Sequence, residues 1–250
     1  MSVINSAIIV LAAGKGTRMK SARPKVLHEL GGKAMLGHVL ASAAACAGDK
    51  TVAVLAPGMD DVAEYALSHG ATHVAYQKEQ NGTGDAVKAA EELLSGLDGV
   101  AIVVFGDTPL VTPETLIRMK QACAAGNDVV VLGFQAEDPA PYGRLVLNGE
   151  GALVKIVEAK DASPEEAAID LCNGGAMAVR TPSSPTQTMD DCSSWRRPSS
   201  SNSVLCSMAI MSWSSGAMPH FSSSFFCFYW CYYFYFFFVI FTSYCRRNNL

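Results

Sequence analysis

Apolar positions fall into short branched runs separated by helical stretches of period near 3.6. Residues 7–11 form a continuous apolar run ending in Ala-Ala-Gly, the pattern of a strand buried on both faces that feeds a tight loop. Further strands are predicted at 51–55, closed by Pro57-Gly58, then at 72–76, 100–105 and 128–135. Between them, helices are predicted at 35–46, 60–68, 85–94 and 113–124. Asp60 and Asp61 mark one helix N-terminus, and Pro113 occupies the first turn of another. Strands and helices alternating at this spacing imply a Rossmann-like α/β fold, a mostly parallel sheet with helices on both faces. In such sheets ligands collect beyond the carboxyl ends of the strands. The loops at 12–18, 77–83 and 106–109 all follow strand ends and should share one rim.

From Tyr142 the rhythm changes. Residues 144–147, a turn at Asn148-Gly149, and 152–157 predict a β-hairpin. Residues 162–168 predict a short helix capped by Ser163 with Pro164 at its start, and 171–179 a returning strand.

Composition changes how the chain should be divided. Taken whole, its 250 residues are 50% hydrophobic and 17% charged, with a net charge of −4. That balance supplies no basic face for nucleic acid. The opening residues lack the basic stretch of a secretory leader, and the apolar run at 7–13 is too short to span a bilayer. After Thr181, however, the chain contains neither Lys nor Glu. Serine dominates first, and residues 221–245 become a block of Phe, Tyr, Cys and Ser that holds three of the eight cysteines. The division expected is 1–180 as one α/β domain and 181–250 as a tail, disordered or produced by a change of reading frame. Ser, Phe, Tyr and Cys share T-rich codons, which motivates the frame-change reading. A rival reading takes 225–241, uncharged and followed by Arg246-Arg247, as a membrane anchor, but its crowding with Tyr suits an interface better than a bilayer centre. Cys46, Cys123 and Cys172, scattered singly among apolar neighbours, read as reduced core thiols of a cytoplasmic protein.

The sharpest chemical feature is Leu11-Ala-Ala-Gly14-Lys-Gly16-Thr-Arg18-Met19, followed by Pro24-Lys25. Small residues let a nucleotide approach the backbone, whose free N–H groups can cradle phosphate oxygens. Arg18 and Lys25 add the fixed positive charge that a triphosphate requires. A dinucleotide fingerprint fails because Met19 stands where its third glycine belongs, and no Gly-Lys-Ser/Thr phosphate loop follows. His69 and His73 are separated by Gly70 and straddle a helix end, a poor metal pair. Cys227 and Cys231 lack a zinc-like partner set.

The complete string resembles the signature of sugar nucleotidyltransferases, in particular the bacterial N-acetylglucosamine-1-phosphate uridylyltransferases. Further segments follow in that family's order. Gln77-Lys-Glu-Gln80-Asn-Gly82-Thr83-Gly84-Asp-Ala86 is similar to its uracil-binding segment, and Phe105-Gly106-Asp107-Thr-Pro109-Leu110 to its metal-binding segment. Tyr142-Gly143-Arg144, Ile156-Val-Glu158-x-Lys160-Asp161-Ala162 and Asn173-x-Gly175 are similar to its sugar-binding half. The resemblance implies that Leu11, Ala12, Ala13 and Gly14 contact the nucleotide through backbone. It implies that Arg18 and Lys25 hold phosphates and act in catalysis, and that Gln77, Gly82 and Thr83 bind uracil. Asp107 would bind Mg²⁺, and Gly143, Glu158 and Asn173 would grip the sugar phosphate. The implied reaction is uridylyl transfer from UTP to N-acetylglucosamine 1-phosphate. A fragment that binds nucleotide without turnover, or an enzyme acting on another sugar 1-phosphate, is the alternative. The resemblance ends near Arg180, which implies that 1–180 is an incomplete nucleotidyltransferase domain. No position matches the late asparagine that shares the metal in the family, and no hexapeptide repeat of its acetyltransferase helix is present, so the oligomer built by that helix is not implied.

Overall fold

A computed structural model describes residues 4–14, 16, 19, 21–46, 48–79, 81–149, 151 and 153–181, together with the backbone of two later strands. The elements run β1 (Ser6–Leu11), β2 (Glu29–Leu30), β3 (Lys33–Ala34), α1 (Met35–Ala45), β4 (Lys50–Leu55), α2 (Asp60–Ser68) and β5 (His73–Tyr76). They continue with α3 (Thr83–Lys88), α4 (Glu91–Leu94), β6 (Gly99–Phe105), α5 (Pro113–Ala124) and β7 (Val129–Gln135). The last are β8 (Arg144–Leu147), β9 (Leu153–Val157), α6 (Pro164–Ala167), β10 (Leu171–Thr181), β11 (Leu205–Ser212) and β12 (Phe237–Tyr244).

The strands lie in the order β11-β12-β7-β10-β6-β1-β4-β5, with the β8–β9 hairpin joined to β10. β1 pairs in parallel with both β4 and β6, and β4 pairs in parallel with β5. β10 is antiparallel to β6 and to β7, so β7 runs with the parallel set. Alternation along the strands sorts the core. Ile8, Val10, Ala53, Leu55, Ile102 and Val104 pack with α1, α2 and α5 on one face. Ala7, Ile9, Leu11, Val52, Val54, Ala101 and Val103 pack with α3 and α4 on the other. Every residue of β1 is buried, which is why its sequence carries no polar alternation.

The helix expected at 85–94 is broken. α3 begins earlier, at Thr83, and ends at Lys88, before α4 opens at Glu91. Ala86, Ala90 and Leu94 still share the sheet face across the break, so packing, not local propensity, sets this segment. A small hairpin between β2 and β3 had no counterpart among the expectations. Its two-residue loop, Gly31-Gly32, has φ of 59° and 80°, the left-handed pair that a type I′ turn requires.

His69 stacks on Tyr65 with ring centroids 3.8 Å apart, while His73 Nδ1 meets the hydroxyl of Thr72 at 2.8 Å, so the two histidines serve different neighbours. Beyond Thr181, β11 and β12 pair with each other and β12 lies along β7. Most of the 181–250 tail and of the 225–241 segment is outside the described residues. Among the described residues no helix is long and apolar enough to cross a membrane.

Candidate active site on the carboxyl rim

The parallel registers align Leu11 with Phe105 and with Val54, and Leu55 with Tyr76. The loops after β1, β4, β5 and β6 therefore leave the sheet on one rim, as the sequence predicts. Leu11, Ala12 and Ala13 are buried at its centre, and Ala12 N–H donates to Val54 O at 2.8 Å. Gly106 N–H donates to Leu11 O at 2.8 Å, tying the β6 turn to the β1 loop. Gly14 is exposed, and a Cβ there would touch nothing within 4 Å.

Lys25 opens a 3₁₀ turn, Lys25–Leu27, whose Val26 and Leu27 are buried in the core. That anchorage aims the ammonium across the rim. Lys25 Nζ donates to Asp107 Oδ2 at 2.6 Å, although 82 positions separate them in the chain. Asp107 lies in the turn that closes β6, where Thr108 Oγ donates to Phe105 O at 2.7 Å. Gly16 makes this approach possible, because a Cβ at that position would lie 2.6 Å from Lys25 Cβ. Arg18, the other expected phosphate ligand, is outside the described residues.

Gln77 follows β5, its N–H donating to Leu55 O at 2.8 Å. The side chain is 5% exposed and its Nε2 donates to Gly82 O at 3.1 Å and Asp85 Oδ2 at 2.9 Å. Gly82 caps α3, and Thr83 begins that helix in an exposed position. Gln77, Gly82 and Thr83 are thus one cluster at the β5 side of the rim, with Lys25 and Asp107 at the β1–β6 centre.

The expected sugar residues form a second cluster. β8, β9 and β10 meet in one row, with Arg144 opposite Val157 and Cys172. Gly143, Glu158 and Asn173 are each one residue from that row. Asn173 N–H donates to Gly143 O at 2.8 Å, and its Oδ1 accepts from Gly175 N–H at 3.0 Å. Glu158 is exposed. Gly175 brings this cluster to the rim, since a Cβ there would fall 2.8 Å from the Phe105 ring.

Two residues beside these clusters had no role assigned from sequence. Asp85 grips Gln77. Arg144 is 3% exposed, donates to the carbonyls of Tyr142 and Ala167, and leaves its Nε without a partner. Burial pushes the thiol of neighbouring Cys172 up, against the lowering pull of Arg144.

The MobA-like NTP transferase domain pattern matches residues 8–169, well over half of the chain. The chain belongs to this family. It is accordingly an NTP transferase-type domain. Over 174 residues it is 56% identical to the bifunctional protein GlmU of Parvibaculum lavamentivorans, a match covering 69% of this chain and 38% of that protein. Over 176 residues it is 50% identical to the bifunctional protein GlmU of Rhodospirillum rubrum, covering 70% of this chain and 39% of that protein. The chain thus spans less than two fifths of the length of these relatives. Its fold is similar to a Bacillus anthracis structure assigned as a glucose-1-phosphate thymidylyltransferase, with a TM-score of 0.60 at 18% identity over 76% of this chain and 82% of that one. A UDP-glucose pyrophosphorylase complexed with UDP-glucose has a TM-score of 0.56 at 17% identity, over 71% and 76% of the two chains.

Proposed function

We propose that this domain transfers a uridylyl group from UTP to N-acetylglucosamine 1-phosphate, giving UDP-N-acetylglucosamine and pyrophosphate. The observation that carries the reading is the Lys25–Asp107 pair at the carboxyl ends of β1 and β6, 2.6 Å apart. A cation and a carboxylate held together there are the two groups a metal-bound triphosphate needs, one for phosphate oxygens and one for the metal. Their side chains are 38% and 31% exposed, so opening the pair costs only about 0–1 kcal/mol. Each can turn to a ligand at little expense.

The residues fit Mg²⁺ of a particular kind. Among the described residues no group of three or more His, Cys, Asp or Glu side chains gathers to cage an ion. One carboxylate, Asp107, would hold it together with phosphate and water oxygens, the coordination a hard cation favours on a nucleotide. When bound there it supplies charge neutralisation on the phosphates. The small residues Ala13 and Gly14, at the end of the Leu11–Gly14 loop, leave room for the phosphates to lie against the backbone. Lys25 neutralises charge that builds as the α-phosphoryl group is transferred. Gln77, Gly82 and Thr83 receive the base, three strand spacings from β6 or about 14 Å, a span a nucleoside triphosphate can bridge. Gly143, Glu158 and Asn173 receive the sugar phosphate. Its oxygen attacks the α-phosphorus in line and pyrophosphate leaves. Catalysis is positioning plus electrostatics, without a covalent protein intermediate. The names of the GlmU relatives and the family match support nucleotide and sugar-phosphate substrates.

The test is uridylyl transfer by the whole chain with UTP, N-acetylglucosamine 1-phosphate and Mg²⁺, read as sugar nucleotide formed. Product formation that Lys25→Gln and Asp107→Asn each lower by about a hundredfold or more is the expected result. Absence of UTP binding by the folded chain would overturn the reading, whereas binding without product would reduce it to a nucleotide-binding domain.

A further inference from the structure

The oxygen and nitrogen of a side-chain amide are told apart by the hydrogen bonds that each end makes. At Gln77 those bonds decide the orientation. Its Nε2 has two partners, Gly82 O and Asp85 Oδ2, and both accept only. Turning the amide would press Oε1 against two oxygens, one of them charged, in a position only 5% exposed. Both N–H groups are therefore consumed. No described residue donates to Oε1, and Oε1 is not among the sealed, unpartnered atoms. Gln77 thus offers a ligand an acceptor and no donor.

The grip itself is rigid. Asp85 sits in the first turn of α3, where its own carbonyl accepts Ala89 N–H at 3.2 Å. The next residue, Ala86, is buried against the sheet. Gly82 O is held by Ala86 N–H at 3.2 Å in addition to Gln77. Neither acceptor can retreat without disturbing the helix start.

We propose that Asp85 is a specificity-determining residue of the nucleotide site. It acts through Gln77, and the proposal rests on the nucleotide reading given above. By capturing the amide nitrogen, Asp85 makes the site select a pyrimidine that carries a proton on N3, the ring atom facing Gln77 Oε1. Uracil and thymine present N3–H there. Cytosine presents a bare N3 acceptor, which would meet Gln77 Oε1 lone pair to lone pair. Removing the carboxylate leaves Gly82 O as the one described acceptor on Nε2 and takes away the charged oxygen, so turning the amide costs much less. A turned amide donates, accepts cytosine and leaves N3–H of uracil without its partner.

The experiment is a calorimetric titration of the whole chain with UTP and with CTP, each with Mg²⁺, for the native protein, Asp85→Asn and Asp85→Ser. The native chain should prefer UTP, and both variants should lower the CTP-to-UTP ratio of dissociation constants by roughly tenfold or more. A variant that weakens both nucleotides equally, or keeps the native ratio, overturns the role of Asp85 while leaving the site in place. A native chain that binds neither nucleotide overturns the site and this role together. Thermal unfolding identifies a variant that fails to fold, and Asp85→Ser carries the test should Asp85→Asn do so.

Discussion

Gly16 and Gly14 are two residues apart, and the structure gives them opposite fates on substitution by alanine. Gly16 has φ of 57°, and a Cβ there would sit 2.6 Å from Lys25 Cβ and 3.4 Å from its backbone. The left-handed conformation costs an alanine about 1–2 kcal/mol. Reduced freedom of the unfolded chain returns about 0.4–1 kcal/mol. The overlap is the larger matter, because carbon atoms prefer about 3.5–4.0 Å. Something must move by about 1 Å, and the neighbour is the residue that reaches Asp107. Gly16→Ala should therefore destabilise by about 1–3 kcal/mol, lower the unfolding temperature by several degrees and reduce nucleotidyl transfer at least tenfold. At Gly14 no atom lies within 4 Å of a Cβ and φ is not left-handed. Gly14→Ala should leave unfolding unchanged yet weaken UTP binding, because it fills the space that the proposed site gives to the phosphates. Differential scanning fluorimetry with and without UTP reads both effects. Equal behaviour of the two variants, or a Gly16→Ala protein as active as the native one, would refute the reasoning.

Other outcomes follow from single features. Lys25→Gln should lower transfer by about a hundredfold or more without lowering the unfolding temperature appreciably, as steady-state kinetics and melting of the same sample would show. Thr112 caps α5 by accepting Thr115 N–H at 3.3 Å, so Thr112→Ala should cost about 1 kcal/mol in a urea titration. Burial pushes the Cys123 thiol up to about 11. Because its folded value lies above its unfolded one, its contribution to stability is complete below the unfolded value and is lost as pH rises toward 11. Stability of the native protein should therefore fall on the alkaline side more steeply than that of Cys123→Ala. The same burial should keep Cys46, Cys123 and Cys172 unalkylated in the folded chain at neutral pH, with mass spectrometry of peptides as the readout.

Where a local rule governs an element, the sequence alone located it. α2 and α5 have the expected bounds, because paired aspartates open one and Thr112-Pro113 opens the other. β1 differs from its expected span by one residue, Ser6, which is fully buried. Periodicity carries no strand direction, so the antiparallel insertion of β10 between β6 and β7 could not be read. The break between α3 and α4 has no glycine or proline to announce it. The Gly31-Gly32 turn did carry a signal, the two-residue glycine loop of a hairpin, but its strands are too short for alternation to show. At the site, Lys25 and Asp107 were joined only through the family resemblance, since no spacing rule links positions 82 apart. Asp85 reads locally as an acidic complement to a helix start, and only the folded chain brings Gln77 to it. Arg144 is equally silent: nothing in a hairpin sequence separates a buried arginine from a solvated one.

The central claim is that the β1–β6 rim closes on the phosphates of UTP through Lys25 and Asp107. A calorimetric titration of the intact chain with UTP and Mg²⁺, repeated with Asp107→Asn, tests it most directly. The account predicts saturable binding at one site that the substitution weakens at least tenfold in the presence of the metal. Binding of equal strength by both proteins would contradict it.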